Sequence, residues 1–147
     1  MRNAIYLDMD GTIANLYSVN EWLPKLRAFD PTPYIEAEPL VRMASLARLL
    51  NALQQRGDHI AIVSWLSKES NPEYDEAVTV AKMTWLQAHL PSVHFDEVVI
   101  VAYGTPKSQV VEFPNGILFD DEEPNRNEWT GTAFDPDHLL DLLRDLL

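Results

Sequence analysis

The fold is decided near the start of the chain, by the stretch Ala4-Ile5-Tyr6-Leu7-Asp8-Met9-Asp10-Gly11-Thr12. Its apolar residues predict a buried β-strand, and the Asp and Gly residues after them favour a turn. Continuous apolar runs recur at residues 60–63, 98–101 and 117–119. Because such runs are typical of parallel strands covered on both faces, we predict a central strand at each. A weaker run at 130–134 contains a glycine and predicts an edge strand.

Helical patterns lie between these runs. Residues 39–56 carry leucines at helical spacing, with a proline near the start and a glycine just past the end. A second pattern covers residues 72–90, with Asn71 or Ser70 as its N-cap, and a third begins at residues 135–136. The alternation predicts a single α/β domain over residues 1–147, in which a mostly parallel sheet is flanked by helices.

Residues 13–38 form an irregular, proline-interrupted segment after the first strand. This connection is longer than the two to six residues usual in α/β units, so we predict a small helical cap inserted over the strand ends. Its aromatic residues either stack on a planar ligand or form a small core of the cap, and we expect packing for at least two of them. They are Tyr17, Trp22, Phe29 and Tyr34.

Composition excludes several classes of protein. A chain of 147 residues that is 46% apolar has the size of one compact domain. Its 23 acidic and 11 basic residues give a formal charge of −12, which disfavours a stable nucleic-acid partner. The absence of cysteine excludes disulfides, thiolate metal sites and thiol catalysis. No apolar run approaches membrane length, and we expect a soluble cytoplasmic protein.

Chemically active side chains follow the predicted strands at their carboxyl ends, where open α/β sheets bind ligands. Two carboxylates follow the first strand, a hydroxyl ends the second, a lysine lies in the loop after the third, and an acidic pair ends the fourth. We therefore expect one cluster at one edge of the sheet. Its members are Asp8, Asp10, Ser64, Lys107, Asp120 and Asp121.

Such a cluster predicts magnesium and phosphate chemistry. Carboxylates crowd together only when protons or a cation intervene, and an all-oxygen set of ligands favours Mg²⁺. A carboxylate can attack phosphorus once the phosphoryl charge is neutralised, which Mg²⁺, Lys107 and Ser64 would do together. Asp10 can then protonate the leaving alkoxide and later deprotonate water.

The sequence at this point resembles the haloacid dehalogenase (HAD) superfamily of phosphohydrolases. Its D-x-D-G-[TV] motif is matched by residues 8–12, its strand ending in Ser or Thr by residues 60–64, its lysine by Lys107, and its acidic pair by residues 117–121. The resemblance implies that Asp8 is the nucleophile, and that Thr12, Ser64 and Lys107 bind phosphate. It also implies that Mg²⁺ is held by Asp8, the Asp10 carbonyl, Asp120 and Asp121.

Within that superfamily the chain looks most like the 5'(3')-deoxyribonucleotidase-type branch, which has a small cap after the first motif. The resemblance adds Lys82, in the stretch Lys82-Met83-Thr84-Trp85-Leu86, as a second phosphate lysine. It implies a nucleoside monophosphate as the substrate. Two positions depart from the branch: Trp65 stands where a small residue is usual, and Asn15 stands where an acidic residue is common.

Other readings remain open. The D-x-D-G-T stretch could be an ordinary turn, and the acidic run at residues 120–123 could be a solvated loop. Ser64 could be a turn residue or a helix cap. Both lysines could lie on the surface. The four histidines lack metal-ligand spacing. Within the enzyme class, the alternative substrate is a sugar phosphate or another small phosphoester. Outside the enzyme class, one alternative is a receiver-like phosphoacceptor, but receivers carry their acidic pair early in the chain, whereas here the pair comes late. Another is a non-catalytic binding protein, which would not need every motif position filled.

Overall fold

The computed structural model describes residues 3–147 and contains a five-stranded parallel sheet beside a two-stranded antiparallel ribbon. The main sheet has the order β5-β4-β1-β6-β7, and the ribbon pairs β2 with β3. In chain order the strands are β1 (Ala4–Leu7), β2 (Ala14–Asn15), β3 (Glu38–Pro39), β4 (His59–Trp65), β5 (Glu97–Val101), β6 (Ile117–Phe119) and β7 (Thr132–Phe134).

Helices connect and cover these strands. Short 3₁₀ turns occur at residues 16–18, 107–109 and 136–138. Asn71 accepts the Tyr74 N–H at 2.8 Å, so it is the N-cap of the long fourth helix. In chain order the helices are α1 (Trp22–Arg27), α2 (Thr32–Glu36), α3 (Met43–Gln55), α4 (Pro72–His89), α5 (Glu123–Glu128) and α6 (Leu139–Leu146).

Alternation along β1 divides the core into two layers. Ile5 and Leu7 face the side covered by α3, α4 and α6, where the predicted leucines of α3 are buried. Tyr6 faces the other side and packs with Trp129, which follows α5, at a ring distance of 5.3 Å. Because both faces are covered, β1 is completely buried, as its apolar sequence predicts.

The segment between β1 and α3 folds against α4. Leu16, Leu26 and Tyr34 pack with Tyr74 and Val78 in a separate small core. The segment thus contains the short helices α1 and α2 and lies over one helix of the main domain. Among residues 3–147, no helix is long and apolar enough to cross a membrane.

Three predictions of the elements need correction. The helix predicted over 39–56 begins at Met43, because Pro39 lies in the ribbon and the Leu40 N–H bonds the Ile13 carbonyl at 2.9 Å. The run at 98–101 is an edge strand, half-buried throughout, and not a central one. The last predicted helix opens with a 3₁₀ turn at 136–138 before α6 begins.

Candidate active site at the carboxyl edge of the sheet

The first strand, β1, lies at the centre of the main sheet. β1 pairs with β4 on one side and with β6 on the other, both in parallel. The carboxyl ends of these three strands therefore meet, and they bring Asp8, Ser64 and Asp120 to one edge. The Asp8 N–H is bonded to the Phe119 carbonyl at 3.0 Å, which fixes the spacing between the first carboxylate and the later acidic pair.

The turn after β1 is tightly built. The Met9 carbonyl accepts the N–H groups of Thr12, Ile13 and Ala14 at 3.0 to 3.1 Å. The buried Thr12 hydroxyl donates to Asp8 Oδ2 at 3.1 Å. Gly11 has a φ of +82°, and a Cβ on it would lie only 2.2 Å from Asp121 Oδ2. Glycine is therefore required here both for its backbone conformation and for the close approach of the carboxylate.

Lys107 joins the two acidic stretches. Its Nζ donates to Asp8 Oδ1 at 2.9 Å and to Asp120 Oδ2 at 2.6 Å, and the side chain is 2% exposed. Burial alone would lower the pKa of Lys107, but the two carboxylates outweigh it and raise that pKa. The ammonium is therefore held in its charged form between Asp8 and Asp120.

Lys82 reaches the same edge from α4. Its Nζ donates to Asp10 Oδ2 at 2.8 Å, to Ser64 Oγ at 2.7 Å and to the Trp65 carbonyl at 2.8 Å. An ammonium has three N–H donors, so these acceptors use all of them. The Tyr34 ring lies 5.0 Å from the same ammonium. Burial raises the pKa of Asp10 and Lys82 lowers it, with a net rise.

The two carboxylates after β6, Asp120 and Asp121, differ in their hydrogen-bond partners. Asp120 is fully buried and accepts from the Glu122 N–H at 2.9 Å, from Asn125 Nδ2 at 3.2 Å and from Lys107. Asp121 Oδ1 is buried without any hydrogen-bond partner among residues 3–147. Burial and the neighbouring Asp8 raise the pKa of Asp120 to about 6 and that of Asp121 to about 8.

These observations fit a divalent cation held by oxygen ligands. Asp8, Asp120 and Asp121 each offer a carboxylate oxygen, and these atoms lie within 4.8 Å of one another. An orphaned buried oxygen and raised carboxyl pKa values both indicate negative charge that the protein leaves uncompensated. Carboxylate oxygens are the donors that hard cations such as Mg²⁺ and Ca²⁺ prefer. The Asp10 carboxylate stands outside this group and contacts Lys82.

A cleft of about 430 Å³ opens over this edge. Asp8, Asp10, Lys107 and Asp121 line it, whereas the other predicted site residues lie behind its wall. Those others are Thr12, Ser64, Lys82 and Asp120, all of them buried. The structure thus brings all the predicted residues together, but it divides them into side chains that reach the cleft and side chains that support them.

The aromatic residues of segment 13–38 also divide. Tyr17 and Trp22 line the cleft and contact each other edge to face, with ring centroids 5.0 Å apart. Tyr34 lines the cleft too, but it is buried against α4. Phe29 is not among the lining residues and packs on Tyr74 at 5.5 Å.

Sequence reasoning missed Asn125 and Tyr103. Asn125 lies on α5, lines the cleft and supports Asp120. A position four residues after an acidic pair, on a short helix, gives little signal in advance. Tyr103 lines the cleft beside Trp65, with ring centroids 4.9 Å apart, and nothing in a loop sequence distinguishes it from a surface tyrosine.

The histidines remain outside this site. His59 begins β4, at the opposite end of the strand from Ser64. Its Nε2 lies 2.9 Å from Glu97 Oε1, which also accepts the Tyr6 hydroxyl at 2.7 Å. His59 Nε2 and Glu97 Oε1 therefore already have hydrogen-bond partners within the protein.

Comparison with known proteins supports the fold. No protein-family model matches the chain, and no curated protein shows significant sequence similarity to it. The crystal structure of D,D-heptose 1,7-bisphosphate phosphatase from Burkholderia thailandensis is similar, with a TM-score of 0.55 at 12% identity over 98% of this chain and 97% of that chain. This likeness confirms the predicted fold class, a parallel α/β sheet flanked by helices.

Proposed function

We propose that the protein is a HAD-type phosphomonoesterase that works through an aspartyl phosphate on Asp8. The observation that carries the proposal is the placement of Asp8 on the cleft wall, in contact with Lys107 and grouped with Asp120 and Asp121. The similar fold of a phosphatase agrees with it. Fold alone does not imply function, so the proposal rests on the side chains.

The reaction follows from two carboxylates in different environments. A carboxylate oxygen of Asp8 attacks phosphorus, the bond from phosphorus to the ester oxygen breaks, and Asp10 gives its proton to the leaving alkoxide. Water then attacks the phosphoryl group, Asp10 takes a proton from it, and the bond to Asp8 breaks to release phosphate. The raised pKa of Asp10 suits it to carry that proton.

We propose that Asp8, Asp120, Asp121 and the Asp10 carbonyl hold Mg²⁺. When bound, the ion would neutralise the carboxylates and the phosphoryl oxygens, so that one anion can approach another. With all groups ionised, four carboxylates and two ammonium groups leave two negative charges at this edge. A divalent cation balances that charge.

The two lysines have different proposed roles. Lys107 uses two of its three donors on Asp8 and Asp120, so one N–H is free for a phosphate oxygen facing the cleft. Lys82 has used all three on the protein and holds Asp10 in place. Lys107 is therefore the main phosphate lysine, and Lys82 and Ser64 act on phosphate only if substrate displaces their present bonds. Thr12 orients Asp8 through its hydroxyl.

For the substrate we propose a nucleoside monophosphate, preferably deoxy, beneath a cap formed by residues 13–38. Tyr17 and Trp22 line the same cleft as Asp8 and Asp10, and both are partly exposed. A base can stack on such rings. The volume of about 430 Å³ lies within the range typical of sites for small molecules.

A second candidate substrate is a sugar phosphate with a further anionic group. Arg27 and Lys68 also line the cleft, and neither forms an ion pair within the described chain. Glu69 and Glu122 line the same cleft, and an anionic group at the distal end of the substrate would pair with Arg27 and Lys68. The similar fold belongs to a sugar bisphosphate phosphatase, which agrees with this candidate.

A screen of phosphate release tests both candidates. The wild-type protein and Trp22→Ala are assayed with Mg²⁺ against deoxy- and ribonucleotides, sugar mono- and bisphosphates, and an aromatic phosphate. We expect deoxynucleotides to be cleaved fastest and Trp22→Ala to raise their KM. Faster cleavage of sugar phosphates would replace the nucleotide by the second candidate, and absence of turnover with every ester would contradict the phosphatase itself.

A further inference from the structure

Trp65, the last residue of β4, contacts both lysines of the site, Lys82 and Lys107. Its backbone pairs with Val101 in the parallel ladder, and its carbonyl accepts from Lys82 Nζ at 2.8 Å. Its indole ring faces the other lysine, with Lys107 Nζ lying over the ring 5.5 Å from the centroid. One residue thus joins β4 to the loop that carries Lys107.

The indole N–H ties down that loop. Trp65 Nε1 donates to the Thr105 carbonyl at 2.8 Å. Thr105 in turn bonds the Ala102 carbonyl through its N–H and its hydroxyl, so residues 102–105 form one turn directly before Lys107. The next anchor along the chain is Glu128, which accepts the Ser108 N–H at 3.1 Å. The Trp65 bond is therefore the tether on the strand side of Lys107.

The indole face also limits where the ammonium can go. Lys107 is buried, and its carboxylate partners Asp8 and Asp120 account for two of its donors. A buried cation without water is stabilised by an aromatic face within about 6 Å. The ring lies on the cleft wall, as Lys107 does, so it keeps that side of the ammonium from bulk water.

We propose that Trp65 is a positioning residue, which holds the loop 102–107 and the Lys107 ammonium where they bridge Asp8 and Asp120. The proposal rests on the proposed function for its catalytic consequence, but not for its structural one. Loss of the indole frees the turn and removes one side of the ammonium's enclosure. The ion pairs of Lys107 with Asp8 and Asp120 then break part of the time, and Asp8 and Lys107 no longer keep the relative position that the reaction requires.

The structural part is tested by amide hydrogen exchange over residues 102–110. Trp65→Phe keeps an aromatic ring over Lys107 and removes the bond to Thr105, and Trp65→Leu removes both contacts. We expect roughly tenfold faster exchange in each, the effect of one lost hydrogen bond on a local opening. Trp22→Leu is the matched control, a tryptophan on the same cleft without a bond to that loop, and its exchange over 102–110 should be unchanged.

The catalytic part is tested with acetyl phosphate, which has no ring to stack, beside para-nitrophenyl phosphate. We expect Trp65→Leu to lower kcat by roughly 10- to 100-fold with both substrates, the effect expected for a small displacement of a catalytic group, with Trp65→Phe in between. In a Lys107→Met background, read by single-turnover phosphate release, the same substitution should change the rate less than about twofold, because its target is gone.

Each result decides a different point. Unchanged exchange over 102–110 in both Trp65 variants would overturn the proposal, as would a full rate loss that persists without Lys107. A loss confined to the aryl ester and to its KM would make Trp65 a substrate contact instead. If the wild-type protein releases no phosphate, the proposed function fails, and the exchange experiment still decides whether Trp65 positions the loop.

Discussion

Gly11→Ala probes the closest approach between the two acidic stretches of the site. An alanine at a φ of +82° costs about 1 to 2 kcal/mol in backbone strain alone. Its Cβ would also lie 2.2 Å from Asp121 Oδ2, more than 1 Å inside the 3.4 Å at which ordinary contact begins. Because the carboxylate and the turn cannot both remain in place, we expect Asp121 to move away from Asp8.

The expected result is a combined loss of activity and metal response. A displacement near 1 Å lowers a catalysed rate by roughly 100-fold, and the Mg²⁺ concentration for half-maximal phosphate release should rise. The matched control is Gly57→Ala, at a φ of +106° with nothing within 4 Å. It should lose about 1 kcal/mol of stability, a fall in Tm of roughly 3 °C, and keep its rate.

Thermal unfolding and phosphate release, measured on both variants across a Mg²⁺ titration, separate strain from displacement. If Gly11→Ala loses stability to the same extent as Gly57→Ala and keeps both the wild-type rate and the wild-type Mg²⁺ response, the inferred role of Asp121 at the metal is wrong.

Further predictions concern the charged groups. Asp8→Asn should abolish phosphate release and leave Tm and circular dichroism close to wild type, because it keeps the size of the side chain. Asp120 and Asp121 have raised pKa values of about 6 and 8, so the folded metal-free protein binds more protons than the unfolded chain over this range. Its Tm should therefore fall as pH rises from about 4 to 8, and saturating Mg²⁺ should raise Tm more at pH 8 than at pH 6, as differential scanning fluorimetry would record; a larger shift at pH 6 would contradict this. Lys82→Met removes a cation that lowers the pKa of Asp10. Because Asp10 must be protonated to give its proton to the leaving alkoxide, the pH at which kcat/KM is half-maximal on the alkaline side should move upward, and an unchanged pH profile would mean that Asp10 is not the proton carrier.

The fold was predictable because the strands carry their own signal. β1, β6 and residues 60–63 of β4 are apolar runs, each followed directly by a polar residue, and a parallel α/β order follows from the helices between them. The prediction of a central strand at 98–101 was wrong because an apolar sequence indicates a strand but does not indicate how many strands pair with it. β5 has β4 on one side only, so it is half-buried at an edge.

The start of α3 was not predictable from local pattern. Pro39 is a favourable first residue for a helix, yet it pairs with Ala14 in a two-residue ribbon. That pairing depends on a residue 25 positions earlier in the chain, so the sequence around Pro39 alone does not predict it. Tertiary contacts decide such short elements.

Lys82 carried a stronger signal than resemblance alone provided. It lies between Ala81 and Trp85 on a face of α4 where Val78 is also buried, in positions i, i+3, i+4 and i+7. A lysine on the buried face of a helix requires a partner, and here it finds Asp10. Which atoms it contacts, and that they use all its donors, required the packed structure.

The most direct test of covalent catalysis is to trap the protein during turnover. Wild-type protein with Mg²⁺ and a radiolabelled phosphate ester is quenched in acid, digested and mapped by mass spectrometry. We predict one labelled peptide, modified at Asp8 and cleaved by hydroxylamine as an acyl phosphate is, with no label in Asp8→Asn. Steady turnover without any label on Asp8, or label on another residue, would contradict the account.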